Sequence, residues 1–258
     1  MILTFCPVLA MMLMDPFLKE TLHFLLKVLL CFVPFYLFLF NLEFSALSYH
    51  FFAAYDSLSN ALTIIQQRSP VVKGMMIEFA KNMADFLAGS GKKHIIVLSS
   101  LDFGKWQKVD MSSGLQIHYL SSANSNGTDE NCEQLGWKKL QEYDPSQKHW
   151  KHLSDLAEGN VTLEDITSVE DELEEENYYA SLPFAALFSF LKAKGLKVTC
   201  LLCYCSEGDN ISDAFQLGDA VCKLLQLNHP ITGIESGKWR VPLSWMTVYG
   251  PPLDVSIF

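Results

Sequence analysis

The chain has 258 residues, half of them hydrophobic, and a formal net charge of −10. That length and apolar share support one sizeable α/β domain or two small ones, and the acidic balance argues against a general nucleic-acid binder, which needs a basic face for phosphates. Seven cysteines, three of them crowded at Cys200, Cys203 and Cys205, read as reduced thiols in a reducing compartment rather than as a disulfide framework.

Residues 1–54 stand apart from the rest of the chain. The first glycine is Gly74, and ten of the eighteen phenylalanines precede Tyr55. The stretch Leu22 to Leu42, LHFLLKVLLCFVPFYLFLFNL, is long enough to span a bilayer core. Lys19 and Glu43 on its flanks would leave the N-terminus cytoplasmic. Lys27 inside the run and Pro34 across it oppose that reading. A buried hydrophobic helix and a non-native start from a mis-assembled gene model are the alternatives. The seam predicts that the body from Tyr55 to Phe258 folds without the first 54 residues.

In the body, ALTIIQQ (Ala61 to Gln67) is short and β-branched and predicts a strand. Pro70 then opens a helix, with Val72, Met75, Met76, Phe79, Met83, Phe86 and Leu87 as its apolar stripe and Gly89 and Gly91 as its stop. HIIVLSS (His94 to Ser100) is apolar on both faces, as a central strand should be, and LQIHYL (Leu115 to Leu120) is a further strand.

Ser121 to Ala180 changes character. It opens on SSANSNGTDEN, and from Asp155 to Glu176 it carries ten Asp or Glu and no Lys or Arg. That composition predicts a mobile insertion with a short helix at CEQLGWKKLQEY. The acidic run reads as a solvated loop or as a contact for a basic partner. Asn126-Gly-Thr128, Asn160-Val-Thr162 and Asn210-Ile-Ser212 fit the glycosylation sequon, a triplet that often arises by chance and matters only in a secreted protein.

The regular rhythm then resumes. Ser181 and Pro183 start a helix through FAALFSFLKAK, and Gly195 ends it. LKVTCLLCYC is a second buried strand. After Ser206-Glu207-Gly208-Asp209-Asn210, a helical stripe runs through Ala214, Leu217, Gly218, Val221, Leu224 and Leu225. Repeated strand–helix alternation predicts an α/β fold, a largely parallel sheet with helices on both faces in three layers.

The chemical motifs are weak. In GSGKKH, Phe86 holds the position where a phosphate loop needs its first glycine, and Lys93 stands where a hydroxyl is required. On an extended strand Cys200 faces one side and Cys203 and Cys205 the other, so the three read as buried apolar thiols and not as a zinc set. Ser99 and Ser100 sit at a strand end, but no Gly-x-Ser-x-Gly elbow surrounds them and no histidine is forced beside them. Ser206 to Asn210 joins a buried strand to a helix, where α/β proteins place ligands. Glu207 and Asp209 would repel a phosphate there. Gly208 permits a tight turn, and Asp209, Asn210 or Ser212 is placed to cap the helix.

The blocks LLCYCSEGDNISDAFQL, GKWRVPLSWMTVYG and HIIVLSS, in that chain context, resemble the proteasome assembly chaperone 2 family in a plant-like version, from about Tyr55 to Phe258. The resemblance implies a parallel α/β domain with no catalytic residues, no cofactor and no metal, acting in cytoplasm and nucleus. It implies a heterodimer with proteasome assembly chaperone 1 that helps the α-subunits of the 20S proteasome form their ring. It also implies a Gly-rich strand-to-helix start that residues 1–54 do not match, so the first strand and helix are expected to be missing. Ser212 stands where relatives often have Pro.

Partner contacts favour Trp, Tyr and Arg anchors. The C-terminal stretch supplies Trp239, Arg240, Trp245, Tyr249, Ile257 and Phe258, held extended by Pro242, Pro251 and Pro252. These are the candidate partner-binding residues, with covering the domain's own sheet as the alternative role for both tryptophans. The chain ends Ser256-Ile257-Phe258 and not in the hydrophobic-Tyr-any tail of some chaperones of this system. Two other readings remain: a membrane-tethered protein using residues 22–42, and an α/β enzyme acting at the Ser99 and Gly208 loops.

Overall fold

The computed structural model describes residues 2–4, 52–56, 63–67, 71, 74–105, 117–160, 178–205 and 210–226. Among the described residues, seven strands form one sheet: β1 (Ile2–Thr4), β2 (Phe52–Asp56), β3 (Thr63–Gln67), β4 (His94–Asp102), β5 (Ile117–Ser121), β6 (Lys138–Lys139) and β7 (Lys197–Cys205). Their order is β2-β3-β1-β4-β7-β5-β6. The pairs β3–β1, β1–β4, β4–β7 and β5–β6 are parallel, while β2–β3 and β7–β5 are antiparallel. The sheet is therefore largely parallel, as the alternation of elements predicts.

The helices are α1 (Met76–Gly89), α2 (Glu130–Gln134), α3 (Lys148–Ala157), α4 (Pro183–Ala193) and α5 (Ile211–Leu224). One side of the sheet buries Ile95, Val97, Val198, Cys200 and Leu202 in the cluster formed with α1 and α4. The other buries Ile96, Leu98, Leu201 and Cys203 against α5 and Cys132 of α2. Odd and even positions of β4 go to opposite clusters, as a pleated strand with two covered faces requires. The three layers follow from that alternation.

Several boundaries shift, each for a local reason. The helix expected from Pro70 starts at Met76, because Gly74 has φ of +82°, which a right-handed helix does not contain; Val72 lies outside the described residues. β4 runs two residues past Ser100, to Asp102. β5 is antiparallel to its neighbour: Asp102 pairs with Cys205 and Ile117 with Cys203, so β4 ends and β5 begins at the same end of the sheet. No crossover helix is needed for that return.

Two short parts of the N-terminal piece, Ile2–Thr4 and Phe52–Ala54, enter the sheet. β1 sits between β3 and β4, with Leu3 opposite both Ile65 and Val97. The resemblance implies an absent first strand, and Ile2–Thr4 fills a position inside the sheet instead. The compositional seam at 54/55 falls within β2, whose Ala54 pairs with Ile65.

The polar segment after Ser121 is also packed. α4 is buried from Phe184 through Leu191, all round its circumference. Such a helix needs cover on its outer side. α3 supplies it with Trp150, Leu153 and Leu156. Where the composition predicts a mobile insertion, residues 121–160 hold two helices and the edge strand β6. Residues 161–177, most of the acidic run, lie outside the described residues.

Candidate functional site

In a largely parallel sheet the C-terminal ends of the strands are where function is sought first. Here that rim is built from tyrosines. Tyr178 Oη accepts the backbone N–H of Asp102 at 3.0 Å. Tyr179 Oη donates to the carbonyl of Lys105 at 3.3 Å and lies 2.8 Å from Tyr204 Oη. His118 meets Tyr204 edge-on, 5.2 Å between ring centres. Asp102 in turn accepts the Gly104 N–H at 2.9 Å, closing the turn after β4.

The three tyrosines of this rim offer neutral hydroxyls. Burial raises the Tyr204 phenol, and the bond it donates to Tyr179 raises it further. Burial also raises Tyr179 and Tyr178. All three stay protonated across the physiological range, so they hold the chain by hydrogen bonds and supply neither base nor nucleophile. Together they fasten the re-entry of the chain at Tyr178 to the ends of β4 and β7. Sequence reasoning misses them; the adjacent pair Tyr178-Tyr179 directly after an acidic run is the available signal.

Ser99 is buried on β4, with its hydroxyl donating to the carbonyl of Ser100 at 3.3 Å. Ser99 is in register with Leu202, and Leu202 with His118. Ser99 and His118 are thus two strands apart with Leu202 between them, and the Ser99 hydroxyl is bonded to the Ser100 carbonyl rather than to an imidazole. Cys200 belongs to one core face, and Cys203 and Cys205 to the other, so the sheet itself separates Cys200 from the other two thiols. In the glycine-lysine loop, Gly89 ends α1 and β4 begins at His94. A phosphate loop requires the reverse order, strand then helix.

The predicted turn is partly described. Asn210 stands at the N-cap position of α5 but makes no side-chain capping bond. Its buried Oδ1 has no hydrogen-bond partner. Ser212 is exposed in the first turn of the helix. Gly208 and Asp209 lie outside the described residues, as do the candidate partner-binding residues Trp239, Arg240, Trp245, Tyr249, Ile257 and Phe258. Residues 22–42 lie outside them too. Among the described residues, no helix is long and apolar enough to cross a membrane.

A tyrosine-fastened rim of this kind on an α/β sheet is shared by proteins of many functions. The model of the PAC2 family matches residues 43–236, three quarters of the chain. The chain belongs to the PAC2 family. Within it, this member is 26% identical to proteasome assembly chaperone 2 of Danio rerio over 200 residues, covering 74% of this chain and 67% of the relative. It is 21% identical to proteasome assembly chaperone 2 of Homo sapiens over 211 residues, covering 79% and 71%. A solved structure that is similar is PbaA of Pyrococcus furiosus, an archaeal homolog of proteasome-assembly chaperone. Its TM-score is 0.43 at 16% identity, with 70% of this chain and 61% of that chain covered. The PAC2 member thus spans less than two thirds of that solved chain. The family agrees with the resemblance carried by the three sequence blocks.

Proposed function

We propose that this PAC2 member is a non-enzymatic chaperone of 20S proteasome assembly, acting as a heterodimer with proteasome assembly chaperone 1 on α-subunits of the ring. The observation that carries the reading is the family match over residues 43–236, joined by relatives named proteasome assembly chaperone 2 across about three quarters of the chain. The protonated tyrosines of the rim and the bond of the Ser99 hydroxyl to the Ser100 carbonyl support binding over catalysis. Such a protein works through surfaces, and Trp239, Arg240, Trp245, Tyr249, Ile257 and Phe258 are the proposed contacts, by the preference of interfaces for large anchors. Cytoplasm and nucleus are the proposed compartments, in keeping with reduced thiols.

Co-expression with proteasome assembly chaperone 1, followed by size exclusion and α-subunit pull-down, tests this reading. A one-to-one complex that captures α-subunits is expected. Deleting Leu253 to Phe258 should preserve the heterodimer and weaken α-subunit capture. A monomer that neither pairs nor captures α-subunits would overturn the reading. Recovery of the native protein in carbonate-washed membranes would favour the tethered alternative.

A further inference from the structure

Asn-Gly is the dipeptide in which an asparagine side chain is most open to attack by the next backbone nitrogen, because glycine has no Cβ to hinder the approach. Asn126-Gly127 is such a pair, and Asn126 is exposed. Two sets of bonds restrain it. Asn126 Oδ1 accepts from the Thr128 N–H at 3.1 Å and from Thr128 Oγ1 at 2.7 Å. The nucleophile, Gly127 N–H, is engaged with the carbonyl of Asn124 at 3.0 Å. Asn124 Nδ2 ties the loop again, to the Thr128 carbonyl and hydroxyl at 3.1 and 3.0 Å. Gly127 itself is buried at φ of +84°, in a seat so close to Leu120 and Tyr143 that a Cβ would overlap both.

We propose that Asn126 is a latent deamidation site that the folded loop holds in check, so that its conversion records opening of the segment after β5. The reaction forms a bond from Gly127 N to Asn126 Cγ. The backbone nitrogen loses its proton, ammonia leaves, and a five-membered succinimide results. Water then opens the ring at one carbonyl or the other, giving aspartate or isoaspartate. Attack needs Gly127 N freed from Asn124 and the Asn126 amide released from Thr128, and both require the loop to open. The products differ in fit. An aspartate carboxylate accepts the same two Thr128 donors. An isoaspartate adds a backbone methylene between Asn124 and Gly127, whose carbonyl receives the Ser121 N–H at 3.0 Å and holds the end of β5.

Peptide mapping of the full chain at pH 8 and 37 °C, folded and in denaturant, tests this by the rate of aspartate and isoaspartate formation at position 126. The folded rate is expected to be lower by about tenfold or more, as for a process that waits on local opening. Thr128→Val, which keeps the side-chain shape and removes the hydroxyl, should raise the folded rate several-fold and leave the denatured rate alone. Thr128→Ser should restore the wild-type rate. Thermal melting of each variant confirms folding, and Asn126→Asp should melt as the wild type does. Equal rates in folded and denatured protein would overturn the proposal, as would a Thr128→Val variant that folds and deamidates no faster.

Discussion

Gly127 shows what one residue decides here. Its φ of +84° alone strains any L side chain, and Leu120 and Tyr143 stand 2.6 and 2.8 Å from where a Cβ would be. Gly136 has nearly the same φ, +80°, with open space around it. Left-handed backbone costs a residue with a Cβ about 1–2 kcal/mol, and overpacking adds about 1–3 kcal/mol. Gly136→Ala should therefore lose only the first amount and Gly127→Ala the sum, measured by denaturant unfolding; equal losses would show that the seat at Gly127 yields. His94 carries a pH dependence. Burial, then Lys197 and the chain's N-terminus, lower it from 6.5 to about 4, and its Nε2 lies 2.9 Å from Thr199 Oγ1. The unfolded chain binds this proton below pH 6.5 and the folded chain only near 4, so stability is full above 6.5 and falls as pH drops through that window. His94→Gln should flatten the fall in melting temperature between pH 6.5 and 4; an unchanged slope would assign it to other groups. At this scale the sequence is informative where periodicity governs. The opposite facing of Cys200 and Cys203 follows from a pleat of period two. The missing cap at Asn210 was not legible, because residue type names the candidate for a cap but only backbone geometry makes the bond.

Whole elements were legible where an apolar pattern was continuous. β4, β7 and α4 coincide closely with the predicted runs, since each buries most of its length, and α5 does so because its buried positions recur at helical spacing. α1 shares the predicted stripe but begins late, its start set by Gly74 rather than Pro70. α3 escaped prediction because its apolar residues are only Trp150, Leu153, Leu156 and Ala157 in a ten-residue helix. A few large side chains suffice to cap an already apolar α4. Trp150 packs edge-on to Tyr143 at 4.9 Å and near Phe184 at 6.4 Å, and its Nε1 donates to the Glu142 carbonyl at 3.1 Å. Trp150→Ala should therefore cost about 3–5 kcal/mol, the range for emptying a buried Trp site. Lys151→Ala, on the exposed side of the same helix, should stay within about 0.5 kcal/mol. Chemical denaturation of the two variants reads the difference. A mild Trp150→Ala would mean that α3 rests on the core without being part of it.

For the whole molecule the deciding element is the shortest of the parallel core strands. β1 has three residues, yet it lies between β3 and β4 and pairs with both along its length. Composition separates residues 1–54 from the body, and no pattern in three residues marks a strand, so its place in the sheet was not legible. Without β1, β3 and β4 would face each other across two strand spacings, about 9.5 Å, each with unpaired backbone groups. Unsatisfied buried amides cost about 1–3 kcal/mol each, so the groups left facing three lost residues on each side would take up much of the usual stability of a domain. The fragment 55–258 should therefore fail to give a cooperative thermal transition, against the expectation from composition alone. A second variant separates the strand from the chain after it. Thr4 pairs with Gln66 and Phe52 with Gln67, so β1 ends and β2 begins at the same end of β3. An eight-residue Gly-Ser linker reaches about 15 Å, enough to join Thr4 to Phe52 over β3 in place of residues 5–51. That variant keeps every described strand and should melt cooperatively where 55–258 does not. If 55–258 melts like the full chain, β1 is dispensable; if both variants fail, residues 5–51 are themselves part of the core.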